Sequence, residues 1–343
     1  MHPDLTIATD FPLQAWNTFG IAARAARYVR VTSVEVLRAA LADPALAAMP
    51  RLLLGGGSNI VLTGDVKGVV LHMAIMGKQV LPDTVDGATI VRVGAGEAWH
   101  GLVEFTLQQG LGGLENLALI PGTVGASPIQ NIGAYGVEVK DVLHNVTVFD
   151  SASGQLRTLD AAACRFGYRD SVFKQPLGAG LIVVEVQFAL PLAWRPQLAY
   201  AELANAVRDA GLLEPSARQI ADLVIAIRRR KLPDPAVIGN AGSFFKNPVV
   251  SGQRCAQLLA AHPALVHHPQ ADGTEKLAAG WLIDQCGWKG KAMGAAGVYA
   301  KQALVLVNHG GASGAEVVAL ARAIAADVWQ RYGVQLETEP VFV

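Results

Sequence analysis

Short runs of β-branched and aliphatic residues, separated by glycine-bearing breaks, fill the first half of the chain and constrain its fold most. Leu52–Leu54, Val69–Met73 and Thr89–Val93 are such runs. Their length and composition predict strands. Ser151–Gly154 separates two further runs and is typical of a hairpin turn. We therefore expect the first half to consist mainly of short strands.

The second half has helical periodicity instead. Apolar residues recur at helical spacing over residues 220–227, behind a capping Ser216. Ser313 with Glu316 predicts a capping box, and the helix behind it should end at Gly333. Because strands dominate one half and helices the other, the sequence predicts an α+β fold.

Length and composition limit the class of protein. The 343 residues suggest two or three domains, and 52% hydrophobic residues exclude a disordered chain. The change of pattern near Pro191–Pro196 predicts the main domain boundary. With a net charge of +0, we expect no nucleic-acid partner, although the basic cluster Arg228–Lys231 could bind one anionic small molecule.

The three cysteines lie far apart in the sequence and predict neither disulfides nor a C-x-x-C motif, which favours a reducing cytoplasm. Residues 1–11 do not resemble a signal sequence, and no apolar stretch reaches the ~18–20 residues of a membrane helix. The eight histidines lack metal-binding spacing, and His267-His268 is interpreted as a surface loop. We therefore predict a soluble cytoplasmic protein without a metal.

Two glycine-rich segments are candidates for binding a long ligand. Gly55–Asn59 follows a strand, and its consecutive glycines would let backbone N–H groups approach an anion; a plain glycine-rich turn is an equal alternative. Residues 115–136 are apolar, irregular and crowded with small residues, which is typical of functional loops, although a buried connection remains open. Together the segments would suit a ligand with a pyrophosphate and an apolar ring.

Three other segments carry polar groups suited to catalysis. Arg169 offers a planar fork for a carboxylate, whereas the spacing alone favours a surface pair between Arg169 and Asp170. Gly239–Pro248 is interpreted as a loop that presents Ser243, either as a rigid proton donor or as an ordinary turn residue. Glu337 and Glu339, two residues apart, would share one side of an extended strand.

The ordered set of these segments resembles the UDP-N-acetylenolpyruvoylglucosamine reductase family, the bacterial flavoenzymes of peptidoglycan precursor synthesis. The resemblance runs from Asn17 to Glu339. Its most specific parts are residues 121–136, 165–171, 231–235, 239–248, 269–273 and 277–286. The insertion bearing Tyr200 is similar to that of the type I branch.

The resemblance implies a two-lobed FAD-binding domain of the vanillyl-alcohol-oxidase/PCMH type and a C-terminal α+β substrate-binding domain. We expect the lobes to be residues 1–70 and 71–195, the substrate domain residues 196–330, and a returning C-terminal strand residues 331–343. FAD would be non-covalent and held by Gly55, Gly56, Gly57, Ser58, Asn59, Pro121, Gly122, Thr123, Gly125, Ser127 and Ile132. A monomer is expected.

The implied reaction reduces UDP-N-acetylglucosamine enolpyruvate with NADPH through FAD. Flavin N5 would deliver hydride to C3, and Ser243 would give a proton to C2. Arg169 and a protonated Glu339 would polarise the substrate carboxylate. Further substrate contacts are implied for Tyr135, Tyr200, Lys231, Asn247, His268 and Gln302. At His268 some type I relatives carry Tyr, so binding could depend on pH near 6.5, about the ordinary pKa of His.

Two alternatives remain open at this point. A related flavin oxidase acting on a sugar alcohol would share the fold, but such enzymes often hold the flavin covalently through His or Cys, which Gly55–Asn59 lacks. A non-catalytic protein that binds sugar nucleotides would consume no NADPH.

Overall fold

The computed structural model describes residues 4–343, so the first three residues of the opening segment lie outside the described part. The chain divides into two compact units, and each consists of several stretches of sequence. Unit 1 comprises residues 1–11, 25–56 and 67–230, and unit 2 comprises residues 12–24, 57–66 and 231–343.

The strands are, in chain order, β1 Ile7–Pro12, β2 Arg24–Val31, β3 Arg51–Leu54, β4 Ile60–Val61, β5 Val66–Met73, β6 Lys78–Val85, β7 Ala88–Gly94, β8 Gly133–Ala134, β9 Val137–Glu138, β10 Leu143–Asp150, β11 Gln155–Asp160, β12 Leu181–Pro191, β13 Gly239–Ser243, β14 Val249–Ser251, β15 His267–Pro269, β16 Thr274–Leu277, β17 Ala292–Met293, β18 Ala296–Val298, β19 Val305–Asn308 and β20 Val341–Phe342. The α-helices are α1 Val34–Ala42, α2 Pro44–Ala47, α3 Trp99–Gln108, α4 Ala201–Asp209, α5 Ala217–Lys231, α6 Gly252–Ala261, α7 Ala279–Gln285 and α8 Gly314–Tyr332. This mixture confirms the α+β prediction.

Unit 1 is built around two sheets and two hydrophobic cores, and the second sheet contributes residues to both cores. One sheet has the order β1-β2-β5-β3, and α1 and α2 contribute Val36, Leu37 and Leu46 to its core. The other has the order β11-β10-β12-β7-β6, and its core includes apolar residues of α3, α4 and α5. The hairpin predicted at Ser151–Gly154 is confirmed, because Asp150 pairs with Gln155.

Unit 2 contains a sheet of order β13-β19-β18-β17, a sheet of order β14-β16-β15, and the parallel pair β20 and β4. Helix α8 begins with the predicted capping box of Ser313 and Glu316, and it ends at Gly333, which has a φ of 60°. No helix in residues 4–343 combines the length and the apolar character that a bilayer crossing demands.

Three local predictions are wrong. Residues 239–243 of the expected loop form β13, because their backbone pairs with β19. His267 and His268 lie in β15, since they pair with β16 instead of forming a surface loop. The segment around Glu337 and Glu339 contributes one isolated bridge at Thr338 rather than a continuous strand.

Candidate functional site

The Gly55–Asn59 segment has little room for side chains. A Cβ on Gly57 would lie 2.1 Å from the carbonyl oxygen of Trp16, and its φ of 61° also favours glycine. Within the described residues, the N–H groups of Gly56, Gly57 and Ser58 donate to no backbone carbonyl. Successive amides of this kind can bind an anion.

The Pro121–Ile132 segment is held by backbone hydrogen bonds to the chain after β7. The Val124 and Gly125 N–H groups donate to the carbonyls of Glu97 and Ala95 at 2.8 and 2.9 Å. Ser127 is buried, and its hydroxyl donates to the Val124 carbonyl at 2.8 Å. Ile132 donates its N–H to the Ser127 carbonyl at 3.1 Å. This irregular segment is therefore fixed in one conformation.

Glu97 anchors this region through its side chain as well. Its carboxylate accepts the Gly77 N–H at 2.8 Å and pairs with Lys78 Nζ at 2.5 Å. Burial alone would raise the pKa of Glu97, but the Lys78 and Gly77 hydrogen bonds outweigh burial and lower that pKa. Glu97 is thus an ionised, buried side chain that supports the neighbouring segment.

The two predicted cofactor segments of unit 1 meet backbone to backbone. A Cβ on Gly56 would lie 2.9 Å from Gly122 Cα, and one on Gly55 would lie 2.5 Å from Thr123 Oγ1. This approach therefore depends on glycine at both positions. The chain crosses from unit 1 to unit 2 between Gly56 and Gly57, so the segment belongs partly to each.

Three non-glycine residues at predicted site positions or beside them have left-handed backbones. The φ angles are 46° at Asn131, 51° at Tyr135 and 53° at Arg169. Such conformations cost roughly 1–3 kcal/mol each and concentrate at functional sites. Asn131 is buried, and its amide group donates to Glu138 and to the Gly167 carbonyl, both at 3.0 Å. Its contacts explain how the strained loop is held.

Arg169 is held on the same loop by backbone carbonyls. Its Nη2 donates to the Gly133 carbonyl at 2.8 Å and its Nη1 to the Asn131 carbonyl at 3.3 Å. The guanidinium carbon also lies 5.5 Å from the centroid of the Tyr168 ring. These contacts fix the orientation of the guanidinium. A solvated surface pair with Asp170, the alternative that the spacing suggested, would not need such a fixed orientation.

Tyr135 and Tyr200 lie together in unit 1, in an edge-to-face arrangement with centroids 5.2 Å apart. Burial raises the pKa of Tyr135, and the nearby Arg228 charge opposes this shift. Burial likewise lowers the pKa of Arg228, against the hydrogen bond with Tyr135. The sequence showed Arg228 only as part of a basic cluster, and nothing in that cluster distinguished it from its exposed neighbours.

Arg228 also has a buried Nε without a hydrogen-bond partner among the described residues. A buried donor of a charged group usually has an acceptor. Arg228 is therefore an additional candidate for contact with an anionic ligand beside Tyr135 and Tyr200.

In unit 2, Ser243 lies at the end of β13, next to an irregularity in the pairing of this strand. The pairing of β13 with β19 shifts register between Asn240 and Ser243, where Gly242 has a φ of 70°. The Asn240 side chain accepts the Gly242 N–H at 2.9 Å and so supports the turn in the strand. Ser243 is exposed, while Phe244 and Phe245 after it are buried. The hydroxyl is thus placed on a strand with an anchored end.

Glu339 lies beside this strand. Its N–H donates to the Phe244 carbonyl at 2.9 Å, and its carbonyl accepts from Asn59 Nδ2 at 3.2 Å. Lys246 binds the neighbouring Glu337 through both its backbone and its Nζ, the latter at 3.1 Å. The structure therefore joins segments of unit 2 that carry Ser243, Glu339 and Asn59.

The other predicted substrate residues of unit 2 occupy different elements. Gln302 precedes β19, and its Oε1 accepts the Leu304 N–H at 3.2 Å. Asn247 Oδ1 accepts the Ala279 N–H at the start of α7, at 3.0 Å. Lys231 ends α5, and His268 is exposed in β15, opposite Lys276. Gln302 shares the vicinity of Ser243, because Phe244 donates its N–H to the Leu304 carbonyl.

The predicted site residues are thus divided between the two units. Unit 1 holds Arg169, Tyr135, Tyr200, Gly55, Gly56 and the residues from Pro121 to Ile132. Unit 2 holds Ser243, Glu339, Lys231, Asn247, His268, Gln302, Gly57, Ser58 and Asn59.

Comparison with known proteins decides the family. Residues 234–343 match the family model described as UDP-N-acetylenolpyruvoylglucosamine reductase, C-terminal domain, and residues 25–160 match that of an FAD binding domain. The UDP-N-acetylenolpyruvoylglucosamine reductase of Azoarcus sp. (strain BH72) is 57% identical over 99% of both chains. The chain belongs to the UDP-N-acetylenolpyruvoylglucosamine reductase family.

Further relatives of this family agree. The UDP-N-acetylenolpyruvoylglucosamine reductase of Paraburkholderia phymatum is 54% identical over 98% of both chains. A crystal structure of the Thermus caldophilus reductase aligns over 98% of both chains with a TM-score of 0.66 and 27% identity. As a member of the UDP-N-acetylenolpyruvoylglucosamine reductase family, the chain is an FAD-dependent oxidoreductase of peptidoglycan precursor synthesis.

Proposed function

We propose that the enzyme reduces UDP-N-acetylglucosamine enolpyruvate to UDP-N-acetylmuramate with NADPH as electron donor. The observation that carries this proposal is the contact of Asn59, Glu339 and the Ser243 strand within unit 2. These contacts join the backbone of Glu339 to the strand that carries Ser243 and to Asn59, which belongs to a segment expected to bind the cofactor, and they support the proposal in this way.

For the cofactor, we propose that the Gly55–Asn59 and Pro121–Ile132 segments hold FAD, in lobes formed by residues 1–70 and 71–195. Support comes from the close backbone approach of Gly56 to Gly122 and from the successive amides of Gly56, Gly57 and Ser58. Amides and glycines are suited to a pyrophosphate, which offers many acceptor oxygens. Bound FAD supplies the hydride that the reduction needs.

For the substrate carboxylate, we propose Arg169 and Glu339 as the polarising pair. The guanidinium of Arg169, oriented by two carbonyls, is a planar group whose geometry suits a carboxylate. Charge accumulates on that carboxylate when hydride adds to the neighbouring double bond. A protonated Glu339 would stabilise the charge by donating a hydrogen bond, whereas an ionised one would repel it.

For the proton, we propose that Ser243 donates to C2 of the substrate. The β13 irregularity leaves the hydroxyl exposed to a ligand, while the buried Phe244 and Phe245 restrain the strand. Lys231 and Asn247 are proposed to assist the proton transfer or bind substrate, together with Tyr135, Tyr200, His268 and Gln302. Residues 196–330 and 331–343 would form the substrate-binding part.

Ser243→Ala tests this assignment directly. We expect FAD content and flavin reduction by NADPH to remain normal, while reoxidation by the enolpyruvyl substrate slows by about 10²–10⁴-fold, as for a lost proton donor. Because Ser243 is exposed, the unfolding free energy should change by less than about 0.5 kcal/mol.

Stopped-flow measurement of the two half-reactions provides the readout. Ser153→Ala is the matched control, since that serine lies on the exposed hairpin turn of unit 1 and should leave both half-reactions unchanged. Equal slowing of both half-reactions in Ser243→Ala would exclude the proton-donor role. Absence of NADPH oxidation by the unaltered enzyme with this substrate would refute the proposed reaction itself.

A further inference from the structure

Three side chains of types that bind metals in proteins meet in unit 2, and none of the three is proposed to act in the reaction, although His267 is the chain neighbour of His268. They are Cys255 on α6, His267 on β15 and Glu275 on β16. One ligand atom of each, among them the thiol sulfur, lies within 4.8 Å of the other two. The histidine spacing in the sequence predicted no metal, because these residues belong to three separate elements.

The small sheet of unit 2 brings them together. Strands β15 and β16 are antiparallel, with His267 opposite Leu277 and Pro269 opposite Glu275. His267 and Glu275 are therefore diagonal neighbours on one face of the sheet. Helix α6 follows β14 directly and is capped by Ser251, which places Cys255 near that face. Ordinary strand and helix geometry thus fixes all three positions.

The contacts within the cluster are compatible with a cation. His267 Nδ1 and Glu275 Oε2 are 2.8 Å apart, within hydrogen-bond distance. Their side chains are 31% and 19% exposed, whereas Cys255 is buried. A cation arriving from solvent would meet the imidazole and the carboxylate first and the thiol behind them. Solvent on the open side could supply a further ligand.

The combination of ligands points to zinc. Zn²⁺ accepts thiolate, imidazole and carboxylate ligands, commonly three from the protein with water as the fourth. Bond lengths of about 2.0–2.3 Å require ligand atoms roughly 3.3–3.8 Å apart. The distance of 2.8 Å between His267 Nδ1 and Glu275 Oε2 must therefore widen by about 0.5 Å, and the distances to the thiol sulfur, which are within 4.8 Å, must shorten by about 1.5 Å at most. Rotation of the two partly exposed side chains can achieve both changes.

We propose that Cys255, His267 and Glu275 form a Zn²⁺ site that links α6 to the β15–β16 hairpin. Binding of Zn²⁺ displaces the thiol proton of Cys255 to solvent and takes the place of the hydrogen bond between His267 and Glu275. Because the site exists only in the folded chain, bound zinc raises the thermal stability of the protein as its concentration exceeds the dissociation constant.

The experiment uses the FAD-loaded protein, freed of metal with a chelator and titrated with Co²⁺. Cobalt bound tetrahedrally with a thiolate gives ligand-field bands at wavelengths longer than those that flavin absorbs. We expect these bands to saturate at one equivalent and to disappear when Zn²⁺ is added. Zn²⁺ should also raise the midpoint of thermal unfolding.

Variants locate the site. Loss of a residue that hydrogen-bonds to a metal ligand typically weakens metal affinity by about 10–100-fold. Loss of a ligand itself should have a larger effect, so Cys255→Ser, His267→Asn and Glu275→Gln should each weaken Zn²⁺ binding by about 100-fold or more. Cys286→Ser is the control, since it removes a partly exposed thiol elsewhere in unit 2 and should leave affinity unchanged.

Absence of the bands, or unchanged Zn²⁺ affinity in these three variants, would overturn the proposal, as would an equal loss in Cys286→Ser. Should Cys255→Ser fail to fold because that position is buried, His267→Asn and Glu275→Gln decide the question, because their side chains are partly exposed.

Discussion

Gly239→Ala is expected to destabilise unit 2 severely, although it adds only a methyl group. A Cβ at this position would lie 2.2 Å from the carbonyl oxygen of Phe19, whereas ordinary contact begins at 3.4 Å. The two backbones must therefore separate by about 1.2 Å. That movement breaks the hydrogen bond from Asn240 N–H to Thr18, at 3.0 Å, and the one from Asn308 Nδ2 to Phe19, at 2.9 Å.

The magnitude follows from these losses. Each hydrogen bond contributes about 1 kcal/mol, and overpacking adds roughly 1–3 kcal/mol, so the unfolding free energy should fall by roughly 3–5 kcal/mol. Gly242→Ala is the matched control in the same strand. No atom lies within 4 Å of its added Cβ, and only its φ of 70° opposes alanine, at a cost of about 1–2 kcal/mol.

Urea unfolding of the FAD-loaded proteins, followed by circular dichroism, compares the two variants. The midpoint should fall much further for Gly239→Ala than for Gly242→Ala. If Gly239→Ala were no less stable than Gly242→Ala, the close approach of β13 to Phe19 would not constrain the fold as argued.

Three further predictions concern the site and its support. Arg169→Lys should reduce turnover with the enolpyruvyl substrate by at least about 100-fold, because an ammonium cannot reproduce the planar fork; near-normal steady-state kinetics would remove Arg169 from the carboxylate site. Lys78→Met should destabilise the protein at neutral pH, and the difference from the unaltered protein in urea unfolding should shrink as pH falls below about 4.5. The reason is that the lowered pKa of Glu97 gives stability above its ordinary pKa of 4.5, which is lost as the carboxyl is protonated; a pH-independent difference would contradict this. Ser313→Ala should reduce the unfolding free energy by about 1 kcal/mol through loss of the α8 cap, and an unchanged thermal midpoint would argue against that contribution.

Features set by neighbouring residues could be predicted from the sequence. The Ser313 capping box, the Gly333 helix end and the Ser151–Gly154 hairpin all depend on interactions a few residues apart, and the structure has each of them. The prediction of a loop at Gly239–Ser243 is wrong, because glycines are typical of loops, whereas this segment pairs with β19, which lies far away in the sequence.

The candidate site could also be predicted only in part. Its segments could be recognised, but their partners could not, since Asn59 and Glu339 are separated by 280 residues. The cluster of Cys255, His267 and Glu275 likewise depends on how a helix crosses a sheet. The role proposed for each residue comes from the family resemblance. The structure adds the contacts between the segments that carry these residues.

The pairing of β4 with β20 affects how the protein is made in the cell. Thr63 binds the Val343 carbonyl through both its N–H and its hydroxyl, across 280 residues of chain. At about 5–20 residues per second, a ribosome needs roughly 15–55 s to synthesise that interval. Throughout this time Ile60 and Val61 lack the strand they pair with, and the glycine segment before them lacks one of its supports. Binding of the cofactor by the growing chain should therefore wait until β20 has been synthesised, and chaperones can bind the exposed strand in the meantime.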